Sequence, residues 1–438
     1  MKYIFILLFC FTSCSSLTKK HYSTARKPIK VELRQTDGKY QLYRAGEPYY
    51  VKGAGTQFGP ISEIAKNGGN SFRTWSTSTE KWDGLAILDS AQKYGLTVLM
   101  GIEVARERHG FDYNDSVAVK AQIQRIKNEV TKLKDHPALL AWGIGNELNL
   151  HSTNLKVWNA VNDIAEMIHE VDVNHPVTTM LAGIQKKEVD YIKQHCQEID
   201  FLSIQMYGGI LGLQNDIDKA GWEGAYMVTE WGATGHWEVP QTEWGIAIEQ
   251  TSSEKADAIS ERWDKAIISN QPHCLGSYVF LWGQKQERTP TWYGLFLKSG
   301  EATEVVDVMH KKWTGKEADN RAPRFDSLHV EGRSDLKNLY LKPNSDFKLE
   351  VFAHDPNQND ILQYRVEILP DQIDTYADGG DYEPQPEILF SSESVKNKFK
   401  VRSPRKKGAY RVFVYVFDGK GHAATANIPF YVKDESSI

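Results

Sequence analysis

Between residues 49 and 282 the chain switches eight times between a short apolar run and a longer stretch, and nothing else in the sequence narrows the fold as much. The runs are YYVKGAG (49–55), NSFRTW (70–75), LTVLMGI (96–102), ALLAWGIG (138–145), PVTTML (176–181), DFLSIQMY (200–207), AYMVTEW (225–231) and LGSYVFLW (275–282). Helical spacing is clearest after the third run, where Val119, Ile123, Ile126, Val130 and Leu133 mark one face. It recurs after the fourth, with Val157, Val161, Ile164, Ile168 and Val171. Such alternation predicts parallel strands with crossover helices, and eight strands predict a closed (β/α)8 TIM barrel. The rival is an open doubly wound sheet. It loses ground at the first strand-to-helix turn, GAGTQFG, where Phe58 stands in place of the third glycine of a dinucleotide-binding loop.

The flanks read differently. KVELRQ and YQLYRA around Thr36-Asp37-Gly38-Lys39 predict a hairpin before the barrel, which is expected over residues 29–315. A polar linker, 316–323, ends at Pro323. Beyond it, LYLKP, FKLEVFAHD, LQYRVEIL, KFKVR, YRVFVYVFD and TANIPFYV alternate at period two, which predicts a small antiparallel β-sandwich over 324–438. This segment resembles the immunoglobulin-like modules appended to exported bacterial glycosidases. Its Asp355–Asp360 stretch lacks the glycine and glutamate of an EF-hand loop and is read as a turn.

The apolar run Tyr3–Phe11 is too short to span a bilayer and has the form of a signal-peptide core, so residues 1–13 are expected to direct export. Thr12 and Ser13 before Cys14 resemble a bacterial lipobox, which implies lipidation of Cys14. Residues 14–28 would then be a tether, and the protein would be anchored to the outer membrane, on its periplasmic face or at the cell surface. Of the four cysteines this leaves Cys196 and Cys274, either a disulfide or a pair of buried thiols. A net charge of −5 gives no reason to expect nucleic acid as a partner, and a monomer is expected. Motifs for metal, phosphate or serine-nucleophile chemistry are missing, so no metal or cofactor is expected.

In a TIM barrel, chemistry collects at the C-terminal ends of the strands. The fourth run ends in Asn146-Glu147 and the seventh in Thr229-Glu230-Trp231. Two carboxylates therefore reach one rim from distant parts of the chain, where a separation of about 5–5.5 Å would suit a retaining glycosidase. An ionised Glu230 would be stabilised by a cation such as Arg73 and by a phenol hydroxyl. Glu147, beside a second carboxylate in a partly dry site, would be held protonated. Trp75, Trp142, Trp231, Trp237, Trp292 and His236 all fall in or near rim segments, and aromatic faces suit a chain of sugar rings. Glu103, closing the third run, is a further candidate for a sugar subsite.

Asn-Glu at the end of strand four and Glu at the end of strand seven resemble the large clan of retaining glycoside hydrolases, over roughly residues 45–315. The resemblance implies that Glu147 is the acid/base and Glu230 the nucleophile. It also implies that Arg73 and Tyr207 hydrogen-bond the nucleophile, that Asn146 binds the sugar 2-hydroxyl, and that Trp282 is the platform under the sugar. Taken whole, the chain resembles the endo-β-1,3-glucanases of glycoside hydrolase family 158, with the family 2 catalytic domain a near relation. The implied partner is a β-linked polysaccharide or oligosaccharide, with laminarin-type β-1,3-glucan first. Hydrolysis of mannan or galactan, transglycosylation, and glycan binding without catalysis are the alternatives.

Overall fold

The computed structural model describes residues 26–57, 59–270, 273–334, 337–357, 360–371 and 383–433. The expected signal segment, Cys14 and all but the end of the tether lie outside them. The hairpin forms where Asp37 and Gly38 both take positive φ (52° and 75°), the conformation of a two-residue primed turn. It pairs β1 (Val31–Thr36) with β2 (Lys39–Arg44), and a third strand, β3 (Glu47–Tyr49), follows a second tight turn. Val31 and Leu42 pack with Leu99, Leu140, Met180, Phe201 and Met227 of the barrel interior, so this small sheet closes the end of the barrel away from the rim.

Eight parallel strands close the barrel: β4 (Val51–Gly55), β5 (Ser71–Arg73), β6 (Thr97–Ile102), β7 (Leu139–Ile144), β8 (Val177–Ala182), β9 (Phe201–Gln205), β10 (Tyr226–Gly232) and β11 (Cys274–Phe280). β11 pairs back onto β4. Between successive strands run α1 (Ile61–Lys66), α2 (Gly84–Lys93), α3 (Ser116–Leu133), α4 (Lys156–Val171), α5 (Lys186–His195), α6 (Leu213–Ala220) and α7 (Ser252–Arg262), and α8 (Glu304–Thr314) follows the last strand. The caps follow from sequence. Asp115 accepts from the N–H groups of Val117 and Ala118 (2.9 and 3.1 Å), and Thr251 with Glu254 forms a reciprocal capping box on α7. On α3 the predicted stripe faces the barrel, with Ile126, Val130 and Leu133 buried and Val119 and Ile123 at its edge.

The C-terminal strands form two facing sheets. One holds β12 (Arg324–Val330), β14 (Asp346–His354) and β17 (Lys398–Arg402). The other holds β13 (Leu339–Leu341), β19 (Ala423–Val432), β18 (Gly408–Phe417), β15 (Gln363–Pro370) and β16 (Phe390–Ser394). Val351, Val401, Val366, Val412 and Phe430 fill the space between them. The expected all-antiparallel arrangement needs one correction, because β13 runs parallel to β19. The short LYLKP run enters from the opposite end of the sheet, and its length gives no clue to direction. Cys196 and Cys274 are free, buried thiols, so the disulfide alternative falls. Among the described residues no helix is long and apolar enough to cross a membrane.

Candidate active site

A cavity of about 880 Å³ opens at the C-terminal rim of the barrel. Its floor is built from strand ends. β5 delivers Arg73 with Trp75 just beyond, β7 is followed by Asn146-Glu147, β9 ends in Gln205 with Tyr207 two residues on, and β10 carries Glu230. After β7 the chain must turn sharply. Gly145 has φ 71° and a Cβ there would come within 2.6 Å of the Leu148 side chain, so glycine is required. Glu147 itself takes φ 50°, a strained conformation for a side chain of its size. Its backbone is held by its own N–H to Met180 O (3.1 Å) and by Arg108 Nη1 donating to its carbonyl (2.7 Å).

The Glu230 carboxylate is buried and accepts four hydrogen bonds. Oε1 receives Arg73 Nη1 (3.1 Å), Trp75 Nε1 (2.8 Å) and Gln205 Nε2 (3.0 Å), while Oε2 receives the Tyr207 hydroxyl (2.8 Å). Arg73 also donates to Asn146 Oδ1 (2.8 Å), as does Gln205 (2.7 Å), so the amide of Asn146 is locked to the same network. Burial, with the charge of Glu230 adding, holds the Tyr207 phenol far above its usual range, so it stays a donor. Glu147 is the opposite case. Burial and then the charge of Glu230 push its carboxyl up to about 7, against the opposing pull of Arg108, Arg73 and Arg106. Two carboxylates at one mouth thus sit in different surroundings, Glu230 among four donors and Glu147 buried with its carboxyl raised.

The rim loops are tied by other acids. Glu238 accepts from the N–H groups of Gly208, Gly209 and Gly235, linking the segments after β9 and β10. Glu107 joins the loop after β6 to that after β7 through Ser152, Thr153 and Asn154, and those donors lower its carboxyl to about 2.

Residues 66–235, which include both glutamates, match the model of the glycosyl hydrolases family 2, TIM barrel domain. The fold is similar to that of three solved structures. A mutant of Bacteroides uniformis β-glucuronidase 2 gives a TM-score of 0.51 at 13% identity over 92% of this chain and 48% of that one. An Eisenbergiella tayi family 2 β-galacturonidase gives 0.51 at 15% identity over 66% and 54%. A Dictyoglomus thermophilum β-D-glucuronidase gives 0.50 at 15% identity, also over 66% and 54%. This chain spans about half the length of each. In its fold the barrel is similar to those of these glycoside hydrolases.

Of the residues expected at the mouth of this barrel, Glu147, Glu230, Asn146, Tyr207, Trp75 and His236 line the cavity, and Arg73 lies directly beneath. Burial, with Arg288 nearby, lowers His236 to about 4, so it is a neutral ring, in contact with the Tyr293 hydroxyl (3.1 Å). Three expectations are corrected. Trp282 does line the cavity, as expected, but it has no exposed surface and its ring stacks on Trp313 (5.6 Å) with Nε1 donating to Pro60 O, so an open platform under the sugar is not what it offers. The last residue of β11 is Phe280, and its ring packs edge-on against Trp75, Tyr207 and Tyr293 in the cavity wall. Trp231 is turned outward onto Trp263, because strand alternation sends it opposite to Glu230. Glu103 follows the end of β6 with its side chain exposed and outside the cavity lining, and its carbonyl accepts from Arg125 (2.6 Å).

Among the other tryptophans, Trp237 stands 58% exposed at the mouth, whereas Trp142 and Trp292 are buried and hydrogen-bonded to Asp172 and Thr234 O. Gln205 was not expected. Its signal was a single polar residue closing the apolar run DFLSIQMY at strand-end position. Lys285, Glu287 and Arg288, in the loop after β11, also line the cavity and carried no pattern that would mark them.

Proposed function

We propose that the protein is a retaining glycoside hydrolase of β-linked glucan, with Glu147 as acid/base and Glu230 as nucleophile. The observation that carries this reading is the asymmetry of the two carboxylates in one cavity. Glu147, protonated below about pH 7, gives its proton to the glycosidic oxygen as the C1–O bond breaks. Glu230, oriented through Arg73, Trp75, Gln205 and Tyr207, forms the new bond to C1 from the opposite face. Glu147, now ionised, takes a proton from water as that water displaces Glu230, and configuration at C1 is restored. Family 2 enzymes are retaining, in keeping with this sequence. Asn146, with its oxygen committed to Arg73 and Gln205, keeps its NH2 for the sugar 2-hydroxyl.

The glucan assignment, with endo-cleavage of laminarin-type β-1,3-glucan first, rests on whole-chain resemblance and on the shape of the mouth. About 880 Å³ lies toward the upper end of the roughly 300–1,000 Å³ of small-ligand sites, and Trp75 and Trp237 offer aromatic faces to more than one ring. The structural neighbours named above act on uronides, which makes an anionic sugar the second reading. Charge does not separate the two readings. With Glu147 holding its proton, the wall sets Glu230, Glu238 and Glu287 against Arg106, Lys285 and Arg288, and Lys285 is paired with Glu287 (2.8 Å).

The reading includes export and lipidation at Cys14, for which C14S should move the protein from the membrane fraction to the soluble one. The deciding experiment incubates wild type and E230Q with laminarin, mannan, galactan and an aryl β-glucuronide, following product size and anomeric configuration by NMR. Laminarin oligomers released as β-anomers by the wild type, and a loss of at least about 10⁴-fold in E230Q, are expected. Full turnover in E230Q would overturn the mechanism; bound glycan without turnover in wild type would leave a lectin.

A further inference from the structure

Three carboxylates of the sandwich converge where it meets the barrel. Asp355 follows β14, Asp360 precedes β15 and Asp418 follows β18, and each offers an oxygen within 4.8 Å of the other two. The Asp418 side chain is fully buried and that of Asp360 is 4% exposed. Among the described residues, Oδ2 of Asp355 and Oδ2 of Asp360 are buried atoms that accept no hydrogen bond. Lone pairs shut away from water beside like charges are a costly arrangement unless a cation completes it. We propose that Asp355, Asp360 and Asp418 form a calcium site at the joint between sandwich and barrel.

The charges already present leave room for an ion. Lys420 places Nζ 2.5 Å from Asp360 Oδ1, but its stem is exposed and can swing away. His422 Nδ1 is 3.3 Å from Asp418 Oδ2, which also accepts from Asn320 (2.8 Å). The donors are carboxylate oxygens from three separate segments, a hard and irregular set that suits calcium better than magnesium, which demands a near-ideal octahedron. Two oxygens each about 2.4 Å from one ion lie at most about 4.8 Å apart, in line with the convergence seen. The EF-hand template fails on the Asp355–Asp360 stretch because the third carboxylate comes from a distant strand end.

The position gives the ion a task. Beyond Asp418, Gly421 O accepts from Ala302 N and Ala423 N donates to Ala302 O (both 2.9 Å), which joins the sandwich to the barrel loop before α8. Asn357, between the two other aspartates, accepts from Arg321 N (2.9 Å) and donates to Asp319 O (3.1 Å) in the connecting segment. An ion drawing the three aspartates together holds both of these attachments in place.

The test uses the full chain, stripped with EDTA, titrated with calcium chloride in a calorimeter and then heated. One calcium per chain is expected, with Kd roughly 10⁻⁵–10⁻³ M. At 5 mM calcium Tm should rise by about 1 °C at the weak end of that range and about 5 °C at the tight end, and by less than a third as much with magnesium. D360N and D418N should weaken binding at least about tenfold, and K420M, which removes only the competing ammonium, should strengthen it about threefold or more. If D418N does not fold, D360N and K420M still decide the matter. Absence of both heat and Tm shift in the wild type overturns the proposal. So does a calcium response undiminished in D360N, or a response to zinc chloride with none to calcium.

Discussion

At the scale of single residues the site turns on one proton. Burial and Glu230 raise Glu147 to about 7 in the folded protein from an ordinary value of 4.5. The stability this gives is complete below about pH 4.5 and is lost as pH climbs through 7. E147Q removes the ionisation, so it should be more stable than wild type by about 2 kcal/mol at pH 8 and no more stable at pH 4, as urea unfolding at the two pH values would report. On the proposed mechanism the same proton limits catalysis. The wild-type kcat/KM on a β-glucan oligomer should fall about tenfold per pH unit above 7, and a flat profile from pH 6 to 9 would refute the acid role. Gln205 donates to both Glu230 and Asn146, so on the proposed mechanism it acts through them and not on the sugar itself. Q205A should lower kcat/KM about 10- to 100-fold, most of it in kcat, and Q205E should not restore it, because a carboxylate cannot donate to Glu230.

At the scale of strands and helices, what the sequence disclosed depended on whether periodicity could see it. The eight runs and the stripes of α3 and α4 were legible because burial on one or both faces forces a pattern of apolar residues. Trp231 was misread as a rim aromatic although the pattern to place it was there, since the alternation that aims Glu230 inward must aim its neighbour outward. The end of β11 was hidden. Residues 278, 280 and 282 share parity in one apolar run, and only hydrogen bonding places the exit at Phe280, beyond which Trp282 folds down onto Trp313 of α8. Lys285, Glu287 and Arg288 lie in a loop with no period at all. The reassigned wall has a consequence that separates the two rings. F280L should raise KM for a β-glucan oligomer about fivefold or more with a modest loss of stability. W282F should cost about 1–3 kcal/mol of stability and leave KM of the folded enzyme unchanged. Michaelis constants measured beside thermal melts on both variants check this, and the reverse pattern would restore Trp282 as the platform.

At the scale of the whole molecule the sandwich is fastened to the barrel by a polar network with almost no exposure. Arg411 on β18 donates to Asp371 (2.8 Å), to Asn427 of β19 (2.7 Å) and to Ala247 O of the barrel (2.8 Å). Asn427 in turn donates to Glu249 (2.7 Å), which binds Lys255 of α7 and the hydroxyls of Thr289 and Thr291. Below it Leu297 of the barrel packs with Leu369, Phe413 and Tyr415 of the sandwich. The connecting segment, read from sequence as a linker, is itself bonded on both sides, with Ala322 N on Asp307 and Asn320 on Asp418. Nothing in local sequence pattern reveals such a joint, because its partners come from loops and strands far apart in the chain. Removing one member strands the others in a dry interface, which costs more than the bond itself. R411M should therefore destabilise the protein by about 3–5 kcal/mol. The loss should appear in calorimetry as one transition moved down as a whole, since neither unit keeps its covering surface alone. A barrel that melts at its original temperature after the sandwich has gone would mean that the two units fold independently.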